Sequence, residues 1–270
     1  MVLDELTPQF ALQLLGKLGI STFDVREKIY KKVGGNPQFL EFFVTLAESR
    51  SIKDLLKDIT PVREKIGEWL LDELVGLLTE EERTAFEEIS VFRLPVDRNV
   101  FSVLNVPGRI VDKLTYYSLV KLGRIQQDAG YYEYYFVHPG VRDYGYGLLS
   151  EDKKIKAHRR AAVYYETLVE KEKAHLGDFF ELHHHLFASE QYEKAGGVVI
   201  DLSEPFLRWG YWGVLRELLM VTVKTTEGLT KASALHNLAA VLDSFGNYKE
   251  AEKYYKESLD LLKVWEINRE

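Results

Sequence analysis

Cysteine is absent from this 270-residue chain and methionine occurs only twice. Without thiols there is neither a disulfide framework nor a thiolate metal site, and a reducing interior suits the chain. Long apolar runs are missing too: none approaches the roughly 20 residues of a membrane span, and the opening Val2-Leu3-Asp4-Glu5-Leu6 carries acids where a signal peptide needs positive charge. The expected location is the cytoplasm, with no membrane partner. Basic charge is in deficit, since 35 Lys and Arg against 42 Asp and Glu leave a net −7, so no overall field holds a phosphate backbone. Scarce sulfur with abundant Lys and Glu fits a thermophile. Catalytic signatures are lacking as well. G-x-x-x-x-G-K-[ST] does not occur, and the Gly16-Lys17 pair is followed by Leu18, so β- and γ-phosphates have no cradle on this chain. With no nucleophile elbow and no HExxH, the chain by itself is not expected to be an enzyme.

What is present is mostly helical patterning. Near the C-terminus, Leu235, Leu238, Ala239, Leu242, Gly246, Tyr248, Ala251, Tyr255, Ser258 and Leu259 fall where a tetratricopeptide repeat places its large, small and turn residues. Lys263 stands where that repeat usually has proline. Gln191-Tyr192-x-x-Ala195 echoes Asn247-Tyr248-x-x-Ala251, and a weaker hairpin spans 207–221 with its turn at Gly210-Tyr211 or Gly213. Such hairpins bury their apolar faces only by stacking, so an uncapped array end would allow two chains to pair.

Upstream, Thr7-Pro8 opens a helix carrying Phe10, Leu12, Leu14, Leu15 and Leu18, with Thr7 as its cap and Gly19 as its end. A second helix, 22–32, stops at Val33-Gly34-Gly35-Asn36, and Pro37 starts a third that carries Phe39, Leu40, Phe43, Val44 and Leu46. A segment at 62–77 aligns Ile66, Trp69, Leu70, Leu74 and Leu77. Thr79 and Glu82 predict a capping box for a helix with Ala85, Phe86, Ile89 and Phe92 inward, ended by Pro95. Short helices at 97–104 and 109–117 precede two strands, 119–127 and 131–137, joined by a turn at Asp128-Ala129-Gly130. Three helices and a hairpin are the order of a winged helix. From Ser150 on, Ile155, His158, Ala162, Tyr165 and Val169 keep a helical period.

Two motifs within this order resemble a known family, the signal-transduction ATPases with numerous domains (STAND proteins). Val33-Gly34-Gly35-Asn36-Pro37 looks like the family's glycine–proline lid motif, whose proline lies against adenine. Phe136-Val137-His138-Pro139-Gly140-Val141-Arg142-Asp143-Tyr144 resembles its histidine motif, whose imidazole reaches the β-phosphate of ADP. The resemblance implies a mainly α chain with a helical lid domain (1–77), a winged helix with a small β-hairpin (78–150), a linker helix with degenerate repeat-like hairpins (151–230), and a tetratricopeptide hairpin with a C-terminal helix (231–270). It further implies the regulatory and sensor portion of a switch. That portion would hold a P-loop module, in the same chain or in trans, in its ADP-bound inactive state. Pro37 and His138 would contact ADP only with that module present, and this chain would carry no cofactor of its own. An inducer protein or small molecule would bind the repeats near Trp209, Tyr211 and Trp212.

Simpler readings stand beside these. His138 can be a cap over the following helix, and Gly34 to Pro37 a helix stop and start. His183-His184-His185 cannot share one ion, because consecutive helical residues point about 100° apart, so no metal is expected. The aromatics at 116–117 and 131–136 alternate along strands, which assigns at least half to packing. Acids outnumber bases between 79 and 150, and the candidate recognition helix offers only Arg109 and Lys113, so nucleic acid is not expected. The competing functions are a winged-helix transcription regulator that senses an effector through its repeats, and a constitutive adaptor.

Overall fold

The computed structural model describes residues 5–59, 65–127, 130–170 and 174–267. The chain forms two compact units, 1–150 and 151–270.

In the first unit, α1 (Pro8–Lys17), α2 (Phe23–Val33) and α3 (Pro37–Ser49) pack on one another, α4 (Ile52–Asp58) lies against α2 and α3, and α5 (Ile66–Gly76) lies against α3. Leu15, Ile29, Leu40, Phe43, Leu46 and Leu70 are fully buried, the inward positions of a 3.6-residue period. Thr7 makes no side-chain cap bond to α1, contrary to expectation, and Pro8 in the first turn sets the start. Residues 62–64, where the α5 segment was expected to begin, lie outside the described residues. Within α5, Trp69 is only half-buried, while Leu71 and Val75 turn inward.

The link between α2 and α3 is specified residue by residue. Gly34 takes φ +88° and its N–H closes α2 on the Tyr30 carbonyl at 2.9 Å, a backbone that favours glycine. A Cβ on Gly35 would stand 2.3 Å from the Leu6 carbonyl oxygen. Asn36 Oδ1 then accepts from the amides of Gln38 (3.0 Å) and Phe39 (3.3 Å), and Pro37 fills a first-turn position that has no need of its N–H.

The unit continues with α6 (Glu80–Ile89), α7 (Asn99–Val103), α8 (Gly108–Tyr116), β1 (Lys121–Gln127), β2 (Gly130–Phe136) and α9 (Pro139–Gly147). The capping box forms: Thr79 N–H donates to Glu82 Oε2 at 2.8 Å, and Glu82 N–H to Thr79 Oγ1 at 3.4 Å. α6 ends at Ile89, not at Pro95: after the Ser90 amide closes on the Phe86 carbonyl, Val91 and Phe92 bond three residues back, to Glu88 and Ile89, and the α pattern tightens and stops. β1 and β2 pair antiparallel with Leu122 opposite Tyr135. Val96 exchanges two backbone hydrogen bonds with Tyr135, 2.9 and 2.8 Å, and Tyr135 is buried edge-on to Phe101. Tyr131 and Tyr132 are exposed, and Tyr134 and Phe136 are half-buried.

The second unit is helical throughout its described residues: α10 (Glu151–Val169), α11 (Leu176–Ala188), α12 (Tyr192–Trp209), α13 (Trp212–Thr225), α14 (Gly228–Ser244) and α15 (Tyr248–Ile267). Each helix packs on the next, and α12 also reaches α14. α14 buries Ala232, Ala234, Leu235, Leu238, Ala239, Val241 and Leu242, apolar on several faces because neighbours cover several sides. Ser258 on α15 donates to the Ala232 carbonyl at 2.7 Å. The α12–α13 turn falls at Gly210-Tyr211. The fold is therefore mainly α, with one small antiparallel sheet followed by stacked helical hairpins. Among the described residues no helix is long and apolar enough to cross a membrane.

Candidate functional site

A cavity of about 570 Å³ opens in the first unit where three helix starts converge. Pro37, Gln38 and Phe39 come from the first turn of α3, with Glu41 and Phe42 just beyond; Gly67, Glu68 and Leu71 come from α5; His138, Gly140, Val141 and Tyr144 come from the start of α9. The volume lies within the 300–1,000 Å³ range of ordinary small-molecule sites. Pro37 and His138, far apart in sequence, line the same space.

Polar ties fix these walls. Gln38 Nε2 donates to the Ser118 carbonyl at 3.1 Å, and Lys121 pairs with Glu41, so α3 is moored to the start of the hairpin. Tyr144 Oη donates to Asp72 Oδ1 at 2.5 Å, mooring α9 to α5. Burial first, then the Asp72 hydrogen bond and charge, push the Tyr144 phenol well above its ordinary value, so it stays a donor. His138 stands at the N-cap of α9, yet its side chain caps nothing, which leaves the ring half-buried at the cavity wall. Burial, seconded by the Lys121 charge, lowers its pKa below the ordinary histidine value, so the imidazole is neutral at pH 7.

This arrangement suits a flat apolar ring better than a charged group. Pro37, Phe39, Phe42 and Leu71 supply stacking surface, whereas the charged groups among the described lining residues are the carboxylates of Glu41 and Glu68, and Lys121 is committed to Glu41. With His138 neutral, the Glu41 charge balanced by Lys121 and Glu68 facing the space, the described lining side chains offer no cation to neutralise a diphosphate.

Trp209 and Tyr211 are exposed, at 60% and 51%. Trp212, expected beside them on the surface, is instead half-buried: its indole N–H donates to the Leu207 carbonyl at 2.9 Å and its ring stands edge-on to Phe245, 5.7 Å away. A large amphipathic ring next to a helix end is drawn into packing once its N–H finds a carbonyl. On α8, Arg109 pairs with Glu81 and Lys113 with Glu82, each at 2.7 Å. His183 stacks on Phe187, and burial lowers its pKa. His184 and His185 meet His158 of the neighbouring α10, an encounter that spacing along one helix cannot reveal. The apolar cavity wall of Phe42, Gly67 and Leu71, and the Tyr144–Asp72 tie, were not read from sequence, because ordinary helix-face residues do not announce that they line a space.

Residues 232–263 match the sequence model of the tetratricopeptide repeat. A search of the curated proteins finds no match. Among solved structures the chain is similar to a STAND protein with a tetratricopeptide-repeat sensor from Pyrococcus horikoshii, with a TM-score of 0.54 and 17% identity. The likeness covers 98% of this chain and 42% of that one, so this chain spans less than half the length of the protein it matches. At that identity the similarity establishes the fold: a mainly helical first unit with its hairpin, then hairpins of the tetratricopeptide type.

Proposed function

We propose that this chain is the regulatory and sensor portion of a STAND-type switch. On this reading the helices up to α5 are the lid and α6 to α9 with the hairpin the winged helix. Together they close over a nucleotide whose phosphates are held by a P-loop module in the same polypeptide or in trans. Pro37 faces the base and His138 reaches toward the β-phosphate. The repeats of the second unit take an inducer, protein or small molecule, with Trp209 and Tyr211 as contact points. The carrying observation is the convergence of Pro37 and His138 on one cavity.

The electrostatics of the cavity support a division of labour. Its walls offer stacking without cations, so phosphate charge must be met from outside, by the lysine and Mg²⁺ that a P-loop supplies. The absence of G-x-x-x-x-G-K-[ST] from the sequence agrees with that role. Reading of DNA by α8 is disfavoured, because both of its basic side chains are spent on Glu81 and Glu82.

Calorimetry of ADP binding tests the proposal, with the chain alone and mixed with a P-loop module from the same genome. Binding that appears only in the mixture and is lost in His138→Ala supports the severed switch. Equal binding with and without the chain refutes it.

A further inference from the structure

In the second unit, three imidazoles from two helices converge. His158 of α10 and His185 of α11 are buried and place their Nδ1 atoms 2.8 Å apart. The ring of His184 lies 5.4 Å from that of His158 and 5.1 Å from that of His185, centre to centre. One ring nitrogen from each histidine falls within 4.8 Å of those of the other two.

We infer that this triangle is a binding site for a late first-row divalent ion, Zn²⁺ in the first instance. At 2.8 Å the two Nδ1 atoms cannot both carry hydrogen, so one ring already turns a bare nitrogen toward its neighbour. Tetrahedral Zn²⁺ with bonds near 2.0–2.1 Å sets its ligand nitrogens about 3.3 Å apart. The His158–His185 pair needs to open by about 0.5 Å, and the third nitrogen to close by about 1.5 Å at most, shifts within reach of side-chain torsions. Adjacency of His184 and His185 is no obstacle here, because the ion would lie between their two directions with His158 approaching from the facing helix. Imidazole is the donor these ions favour. Glu181 strengthens the assignment: one turn before His185 and buried, it sets Oε2 3.9 Å from His185 Nε2. That is the side on which a carboxylate orients a metal-bound imidazole through its other nitrogen. Tyr165 stacks on the same ring at 5.3 Å and 17°. The ion would clip α10 to α11.

The test is calorimetric titration of the untagged, chelator-stripped full chain with ZnCl₂. One ion per chain is expected at micromolar affinity or better, weakened at least a hundredfold by His158→Gln and by His185→Gln and unchanged by His183→Gln. Binding weaker than millimolar, or binding indifferent to His158→Gln, overturns the site. Should the buried variants fail to fold, imidazole nitrogen NMR of the unaltered chain decides. Zn²⁺ must shift the resonances of His158, His184 and His185, and shifts confined to His138, His175, His183 or His236 overturn the assignment.

Discussion

Adding one methyl group at Gly67 separates the cavity from the fold around it. Gly67 sits in the first turn of α5 beneath the ring of Phe39, and a Cβ there would lie 2.3 Å from Phe39 Cζ and 2.6 Å from Cε1. Carbon atoms rest at about 3.5 Å or more, so in Gly67→Ala the tip of the ring must retreat by about 1.2 Å, into the space that both residues line. Phe39 is half-buried, and its far end can swing without disturbing the backbone. The strain, about 1–3 kcal/mol for an extra core methyl group, is offset by up to about 1 kcal/mol from replacing helical glycine with alanine. Net destabilisation of roughly 0–3 kcal/mol is expected. For a ligand stacked on Phe39, an unaccommodated methylene costs about 1–3 kcal/mol, or about 10- to 200-fold in affinity. The assay pairs urea unfolding with ADP calorimetry in the presence of the P-loop module. A stability loss of no more than about 3 kcal/mol and at least about a tenfold loss of ADP affinity are the expected results. Undiminished ADP binding by a folded Gly67→Ala chain would show that the nucleotide does not enter this cavity.

Other consequences follow from named contacts. His138 is held neutral in the free chain, and a bound phosphate would raise its pKa, so ADP binding takes up a proton. Affinity in the mixture should rise as pH falls through the raised pKa of the phosphate-bound His138 and level off below the lower pKa of the free chain, with the slope absent in His138→Gln; a pH-independent affinity contradicts the contact. Leu235→Ala removes a fully buried side chain from α14 and should destabilise the second unit by about 3–5 kcal/mol, seen as faster amide exchange in α14 and α15; a loss below 1 kcal/mol would mean the hairpin core is elsewhere. Burial pushes the Glu82 carboxyl upward, but the Lys113 and Thr79 hydrogen bonds outweigh it and hold the pKa below its ordinary value. Its contribution to stability is present above the ordinary Glu pKa and fades as pH falls through the lowered one. Thr79→Ala should cost about 1 kcal/mol, and Glu82→Gln should flatten the acid limb of the stability curve; an unchanged limb would refute the linkage.

Helices were legible wherever local chemistry specifies them. The Pro37 start, the Thr79–Glu82 box and the period of Leu235, Leu238 and Leu242 all act within a few residues, and sequence spacing reports such interactions directly. α4 (Ile52–Asp58) escaped notice, because two turns are too short to display a period. The end of α6 was misplaced, because the helix tightens into i→i−3 bonds at Val91 and Phe92 before Pro95 is reached, and no breaker residue marks that point. Trp212 was misjudged for a tertiary reason, since its partner Phe245 lies at the end of α14. The cavity was half legible. Motif likeness set Pro37 and His138 against one ADP, but the ties that hold their walls, Gln38 to Ser118 and Tyr144 to Asp72, are contacts that no local pattern encodes.

The weakness of the cavity as a phosphate site bears on how such a switch could work. A site with strong anion affinity of its own would bind nucleotide whether or not the ATPase module were docked, and occupancy would then carry no information about docking. Here Pro37, Phe39, Phe42 and Leu71 supply stacking surface, Glu41 and Lys121 balance each other, the Glu68 carboxylate discourages a free anion, and His138 contributes a neutral nitrogen. Nucleotide would gain from these walls only when another module brings the compensating cations, so the ligand's affinity becomes a measure of the closed arrangement. By reciprocity, whatever stabilises closure tightens the nucleotide, and an inducer that favours the open form by a factor of ten weakens nucleotide retention by up to the same factor, about 1.4 kcal/mol. Replacing Glu68 with lysine should therefore give a chain that holds ADP more tightly by itself and responds less to the module, even though the site binds better; an unchanged ADP affinity of the chain alone, measured by calorimetry, would contradict this.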